Sequence, residues 1–418
     1  MRRFKPDELL KHTALLFSAM MVAHICNLAY QMVMSRALSS EEFALLAALL
    51  SVLNIAARPL GTLTTGMSHY SSLLVQQGRS GDVARMVRKW GLLTGIPGLL
   101  LGGLVLLTSP QIASFFHLDR VEPIFIAGLT VAGLFVLPVM AGAGQGLQRF
   151  GLVSAATIAG AGSRLLIGTG MVLLLYPACG WALVGHGAGM YISIAVLLAG
   201  LFFYLHGSGN SGQPLPSMRI YLAQSFLIQI SYAVLMNADM VFVRHFIPAE
   251  TDFAYAATLG RLVAFLPVAI AAAMFPKVSS DSGSTALHRQ IFFRSFVYTL
   301  LFVVASVAGC CLLPGLLLRM LLGVSDPSVG AIFLVRLMSV AMGISALLNV
   351  AVQFLLAQRL FRGGLWIVLF SVSYAAAVSL WHSSPAQIVW IAVAANLLAL
   401  IATMGVISRS FGWGGARA

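Results

Sequence analysis

Stretches of about 20 or more mainly apolar residues recur along nearly the whole of this chain, each long enough to cross roughly 30 Å of hydrocarbon as a helix. We read twelve: residues 12–35, 43–72, 86–108, 121–146, 150–176, 181–206, 219–246, 252–277, 287–313, 328–357, 361–381 and 386–408. Almost nothing remains for a soluble domain. Composition agrees, with 59% hydrophobic and 9% charged residues and a mean hydropathy of +0.94. The reading is an all-α membrane protein of twelve transmembrane helices. The longest non-membrane stretch, around Gly207–Ser217 (GSGNSGQPLPS), has the Gly/Ser/Pro content of a flexible linker. It sets an N-terminal six-helix bundle (1–206) and a cytoplasmic linker (207–217) apart from a C-terminal six-helix bundle (218–418).

The net charge of +13 would suggest nucleic acid in a soluble protein, but here the basic residues sort by loop, so none is expected as a partner. With the N-terminus in the cytoplasm, the inner side collects Arg2, Arg3, Lys5, Lys11, Arg79, Arg85, Arg88, Lys89, Arg149, Arg219, Lys277, Arg289, Arg294, Arg359, Arg362, Arg409 and Arg417. The outer side receives only Arg36, Arg120, Arg244 and Arg319. By the positive-inside rule both termini are cytoplasmic. A cleaved secretory signal is the rival reading of the N-terminus. The first apolar run is too long for one, and it carries His24, Asn27, Tyr30 and Gln31. Cys26, Cys179, Cys310 and Cys311 fall within or at the edge of spans without metal spacing, and the Cys310–Cys311 pair reads as two small packing residues.

An internal repeat accompanies the two halves. At an offset of 210 residues, Asn27 pairs with Asn237, Val33 with Val243, Phe43 with Phe253, Ala44 with Ala254, Ala47 with Ala257 and Leu49 with Leu259. The same offset pairs Gly133 with Gly343, Ala141 with Ala351, Gln148 with Gln358 and Arg149 with Arg359. Six spans per half is an even number, so the halves share an orientation and are expected to be pseudo-symmetric about the membrane normal, enclosing a cleft.

Four arginines, Arg58, Arg164, Arg261 and Arg336, lie deep in apolar spans, and the only acid at comparable depth is Asp239. A central arginine costs about 2.5–3.5 kcal/mol on insertion scales, so each must snorkel, pair, or face a wet cavity. Snorkelling suits Arg336 and Arg261, which lie near their helix starts, and suits Arg58 and Arg164 poorly. Asp239 can satisfy one arginine, so at least two require a polar cavity. Arg261 matches Ser51 in the repeat, and Arg58 lies two turns beyond Ser51 on nearly the same face. The expectation is that both line the cleft, against a structural role for one or both. Guanidinium groups bind phosphate oxygens bidentately and stay charged in apolar surroundings. A polyprenyl pyrophosphate carrying a sugar chain is an anion of this kind.

Asp239 has two open roles, as a structural counter-ion to Arg58, Arg261 or Arg244, or as a protonatable or sodium-binding group that couples transport to an ion gradient. Asn27 and Asn237, matched in spans one and seven, could bond a sugar or bond within and between helices. Pro59, Pro138 and Pro267 interrupt spans two, four and eight, either as hinges or as static kinks. His69 and His186 read as packed or hydrogen-bonded groups.

Three stretches carry a family resemblance. The first is Ser35-Arg36-Ala37-Leu38 followed by Glu41-Glu42-Phe43-Ala44; the second is Gln145-Gly146-Leu147-Gln148-Arg149-Phe150. The third is Asp239, then Tyr255-Ala256-Ala257, Leu259, Arg261-Leu262 and Phe275-Pro276-Lys277-Val278-Ser279. In their order and spacing the chain resembles the oligosaccharide flippase, or polysaccharide transporter, branch of the multidrug/oligosaccharidyl-lipid/polysaccharide exporter superfamily. It departs from that pattern at Ala44, where a glycine commonly follows the aromatic. The resemblance implies alternating access between two six-helix bundles and export of lipid-linked oligosaccharide across a bacterial inner membrane for O-antigen, capsule or exopolysaccharide. It also implies membrane lipid, the lipid-linked glycan and a polysaccharide polymerase or export machinery as partners. Arg58, Arg164, Arg261, Arg336, Asn27 and Asn237 are the candidate substrate-binding residues. No cofactor, metal or enzymatic role is expected.

The nearest alternative is a multidrug cation antiporter of the same superfamily, which would be expected to carry a buried acid in spans one to six; this chain has none there. A lipid II flippase would generally have additional spans. A membrane glycan polymerase would need a larger external loop than the five to twelve residues read here, and no nucleotide-binding loop is found.

Overall fold

The computed structural model describes residues 6–206, 213–215, 218–264, 267–268, 270–271, 274, 278 and 285–412. Most of the expected linker and the Phe275-Pro276-Lys277 and Ser279 part of the third motif lie outside the described residues, as do Arg2, Arg3, Lys5 and Arg417. The described chain is helical with no strand. In order the helices are α1 (Pro6–Ala37), α2 (Ser40–Gln76), α3 (Ser80–Leu107), α4 (Ser109–Phe115), α5 (Glu122–Leu134), α6 (Leu137–Gly146), α7 (Phe150–Leu174), α8 (Cys179–His206), α9 (Arg219–Phe246) and α10 (Asp252–Leu262). There follow α11 (Thr285–Leu312), α12 (Pro314–Leu322), α13 (Val329–Ala357), α14 (Phe361–Leu380) and α15 (Pro385–Ser410). Eleven spans among the described residues are long and apolar enough to cross a membrane. The remaining expected span, 252–277, begins as α10, and part of its continuation lies outside the described residues. The protein is a multi-pass membrane protein.

Two compact units divide the chain. Unit 1 holds Met1–Glu42 and Ala56–Ala223, and unit 2 holds Phe43–Ile55 and Gln224–Ala418. The single helix α2 thus contributes Phe43–Ile55 to unit 2, and its first turn and the remainder from Ala56 to unit 1.

Unit 1 is organised around a seam of small residues between α7 and α8. A Cβ at Gly185 would collide with the backbone of Gly168, and one at Gly189 with the carbonyl of Gly160. Inside a bilayer, close backbone approach of this kind supplies the packing that apolar burial cannot, because lipid is as apolar as leucine. Tyr30 of α1 completes the packing, donating to the Ala182 carbonyl at 2.8 Å. In unit 2 a buried chain of polar groups plays the same part. Tyr232 donates to the Ser345 carbonyl (2.9 Å), Ser345 Oγ to Asn396 Oδ1 (2.7 Å), and Asn396 Nδ2 to the Leu235 carbonyl (3.3 Å), which ties α9, α13 and α15.

The repeat is visible in the loops. Glu42, in the first turn of α2, pairs with Arg120 just ahead of α5 and accepts the Cys179 N–H at the start of α8 (2.6 Å). Asp252, in the first turn of α10, accepts from Ser328 (2.8 Å), whose side chain also caps α13 through the Ala331 N–H. In both halves a carboxylate beside a fully buried phenylalanine, Phe43 or Phe253, therefore pins one helix start to another. That gives the acid-aromatic-small motif a mechanical reason.

The register of the repeat is not uniform. The turns after α6 and after α13 have the same geometry, but their left-handed residue is Gln148 (φ 60°) in one and Arg359 (φ 56°) in the other. The closing hydrogen bonds, Arg149 N–H to the Gly144 carbonyl and Leu360 N–H to the Leu355 carbonyl (both 2.8 Å), agree. The offset here is 211, so Gln148 matches Arg359, and the Gln–Gln and Arg–Arg identities found at 210 are one residue out of register. Turn closure sets the alignment, and side-chain identity does not.

Pro138 breaks span four into α5 and α6. Lacking an N–H, it leaves the helix ladder open; the Val139 N–H turns to the Val136 carbonyl (3.2 Å), and the Thr94 hydroxyl is shared between the Trp90 (2.8 Å) and Phe135 (3.1 Å) carbonyls. Pro59 sits inside a continuous α2, while α10 ends before Pro267. The short helices α4 and α12, which follow α3 and α11, were not anticipated. At the start of α3, buried Asp82 binds Arg79 (2.7 Å) and Arg85 (2.9 Å). Both arginines also donate to carbonyls of the described linker residues, Arg85 to Gln213 at 2.6 Å and Arg79 to Pro214 at 3.4 Å.

Candidate functional site

Arg164 lies on α7 midway between Gly160 and Gly168, so the seam that draws α7 against α8 also holds this arginine inside unit 1. Its Nη1 donates to Asn27 Oδ1 of α1 at 2.9 Å. That is a neutral acceptor. Among the described residues no carboxylate forms an ion pair with Arg164, and its Nε is buried without a hydrogen-bond partner. Tyr30 and His186 lie within electrostatic reach. His186 of α8 is buried, and its Nδ1 has no hydrogen-bond partner. The cluster thus offers unused donor capacity and uncompensated positive charge, which suits an anion with several acceptor oxygens.

Unit 2 holds the opposite arrangement. Asp239 of α9, 2% exposed, receives Arg261 Nη2 of α10 on Oδ1 at 2.6 Å. Its second oxygen, Oδ2, is buried with no hydrogen-bond partner. Tyr374 of α14 lies within electrostatic reach of both charges, and its buried hydroxyl also has no partner. Edge-on packing of Phe242 against Tyr374 (5.6 Å between centroids) fixes α14 on α9. The charge of Arg261 is therefore balanced within its own unit.

The other candidates are distributed. Arg336 is exposed, and its Nε donates to the Cys311 carbonyl (3.1 Å), capping the C-terminal turn of α11 where a cation is favoured. Arg58 is half-buried on α2, immediately before Pro59. Asn237 is buried and bonds the Ala233 carbonyl one turn back (3.1 Å), so it does not mirror Asn27. Arg244 donates to the Pro248 carbonyl (3.0 Å) rather than to Asp239. The structure brings together Asn27 with Arg164, and Asp239 with Arg261. Sequence reasoning passed over His186 as a packed group and did not single out Tyr374; a lone phenol deep in span eleven was the only available signal.

No protein-family model matches the sequence, and no curated protein matches it in sequence. Solved structures do match. An inward-facing multidrug resistance MATE family transporter of the MOP superfamily has a TM-score of 0.69 at 16% identity, covering 97% of this chain and 100% of that one. An outward-facing structure of such a transporter gives 0.62 at 16% identity, covering 97% of each chain. A MOP superfamily transporter from Pyrococcus furiosus, described as having a binding pocket of reverse polarity that suggests a different function, gives 0.67 at 15% identity over 96% of each chain. At these identities the likeness is one of fold. The chain has the MATE-like fold, all-helical with eleven membrane-length helices among the described residues, and these neighbours are transporters rather than enzymes.

Proposed function

We propose that this protein is an alternating-access transporter of an amphiphilic anion, a polyprenyl-pyrophosphate-linked oligosaccharide, across a bacterial inner membrane. The observation that carries the reading is Arg164, a half-buried arginine with a neutral partner and a buried, spare Nε. A site of this charge attracts phosphate oxygens and repels organic cations. The fold supports transport, since it is shared with transporters solved in inward-facing and outward-facing states. Pocket polarity differs among proteins of this fold, as the description of the Pyrococcus furiosus transporter says of that protein. Arg58 and Arg261 are further candidate contacts for the pyrophosphate, Asn27 for the sugar or for orienting Arg164, and Asp239 for the counter-charge released when an anion engages Arg261. A polysaccharide polymerase or export machinery would take the exported product.

The second reading is a multidrug exporter, which the solved structures sharing this fold favour. Proteoliposomes separate the two. Wild type is expected to translocate a fluorescent polyprenyl-pyrophosphate oligosaccharide, and Arg164→Ala to lose that activity by at least tenfold, about 1.4 kcal/mol. Export of organic cations with no movement of the glycolipid would establish the drug-exporter reading instead.

A further inference from the structure

We infer that unit 2 carries a binding groove for an anionic phospholipid of the cytoplasmic leaflet, between α11 and α15 and remote in sequence from Asp239 and Arg261. A cavity of about 320 Å³ is lined by Phe292 and Phe293 of α11, by Met404, Gly405 and Ser408 of α15, and by Phe411. That volume lies at the lower end of the range of ligand-holding clefts. Its floor is solid. Phe292 is fully buried and packs on Phe354 (centroids 4.8 Å apart), which in turn packs on Phe411 (5.4 Å). Exposed apolar side chains follow the lining residues at helical spacing, Val297, Leu301 and Val304 on α11 and Leu397 and Ile401 on α15, a path suited to an acyl chain.

The rim supplies the headgroup chemistry. Arg289 lies one turn ahead of Phe292 and Phe293, its guanidinium 6.0 Å from the Phe293 ring centroid. Arg409 lies one turn beyond Gly405 on the same face of α15 and is exposed. Arg294, Arg359 and Arg362 stand on the same side of the membrane by the loop-charge distribution. Beyond Asp326 the sequence contains no acid, and none lies between Asp281 and Asp326. By sequence this end of unit 2 sets Arg289, Arg294, Arg359, Arg362 and Arg409 against a single acid, Asp281, and the positive-inside rule places it against the leaflet that holds anionic lipid. Apolar groove and cationic rim together fit one molecule, a diacyl lipid with a net negative phosphate headgroup. The inference does not depend on what the protein transports.

The test is native mass spectrometry of the delipidated full-length protein with phosphatidylglycerol and phosphatidylcholine of matched chains. Wild type is expected to retain one phosphatidylglycerol in preference to phosphatidylcholine. Removing both rim charges (Arg289→Ala with Arg409→Ala) is expected to lower that preference about thirtyfold, since each arginine contributes a factor of about five toward an anionic surface. Gly405→Leu fills the groove, and a Cβ there meets no atom within 4 Å, so the fold should tolerate it. This variant should lose both lipids, while its thermal unfolding stays at the wild-type temperature. Equal retention of the two lipids by wild type, or retention unchanged in both variants, overturns the inference. Displacement of phosphatidylglycerol by a short polyprenyl phosphate at lower concentration also overturns it, by assigning the groove to an isoprenoid tail.

Discussion

The same place in the two halves carries opposite electrostatics. In unit 1, where α1 meets α7, Arg164 faces Asn27 and has no acid. In unit 2, where the repeat-related α9 meets α14, Asp239 lies near Tyr374 and is neutralised by Arg261 from α10. The sequence repeat marks these as corresponding helices and matches Asn27 with Asn237, yet only Asn27 reaches across to another helix. Duplication preserved the helix scaffold, and the polar groups placed on it diverged. A pair balanced within one unit holds that unit together, whereas an unbalanced charge is a standing demand for a ligand.

The largest expected effect tests the balanced side. Asp239→Ala leaves the half-buried Arg261 without its carboxylate and should cost about 3 kcal/mol in chemical unfolding, the low end for a buried pair, while Asp239→Ala combined with Arg261→Met should recover most of that loss. Arg164→Met is the mirror experiment. Removing an uncompensated charge should leave stability unchanged or raised while abolishing glycolipid transport, and a loss as large as that of Asp239→Ala would make Arg164 a structural residue.

Next comes the seam that places Arg164. Gly185→Leu should destabilise unit 1 by about 1–3 kcal/mol through overpacking, whereas Gly162→Ala, with no atom within 4 Å of the added Cβ, should be neutral or slightly stabilising. Asn27→Asp makes unit 1 resemble unit 2. We expect a higher melting temperature from the charge-assisted bond, about 1.5–3 kcal/mol, together with slower transport because the site is then filled from within.

The smallest effects concern the loop clamps. Glu42→Gln and Asp252→Asn should each cost about 1 kcal/mol, measured by thermal unfolding, with the larger loss at Glu42 because it holds two partners. Burial and the neighbouring Asp252 raise the Glu250 carboxyl above its ordinary range. An acid raised on folding weakens the fold when ionised, and the penalty is relieved as pH falls through the raised value. Glu250→Gln should therefore raise the melting temperature slightly at neutral pH, with the difference vanishing on acidification.

Much of the architecture was legible in the sequence because lipid makes helix formation a local matter. A run of apolar residues must satisfy its own backbone, so the spans follow from hydropathy without knowledge of any partner. The break at Pro138 and the ion pair of Asp239 with an arginine also had local signals, a missing N–H and a single available acid. The short helices α4 and α12 did not, being too brief for any periodicity to register.

Which charge meets which group was settled only by packing. Arg164 and Asn27 are 137 residues apart, and Arg336 reaches the Cys311 carbonyl from 25 residues away. The one-residue change of register between the halves is likewise a property of turn closure. By itself the sequence determined that this chain is a bundle of membrane helices with too few acids for the arginines within its apolar spans. Tertiary structure decided which arginine is left uncompensated, because that depends on helix rotation and on glycine contacts that bring two backbones together, and neither is written in any single span.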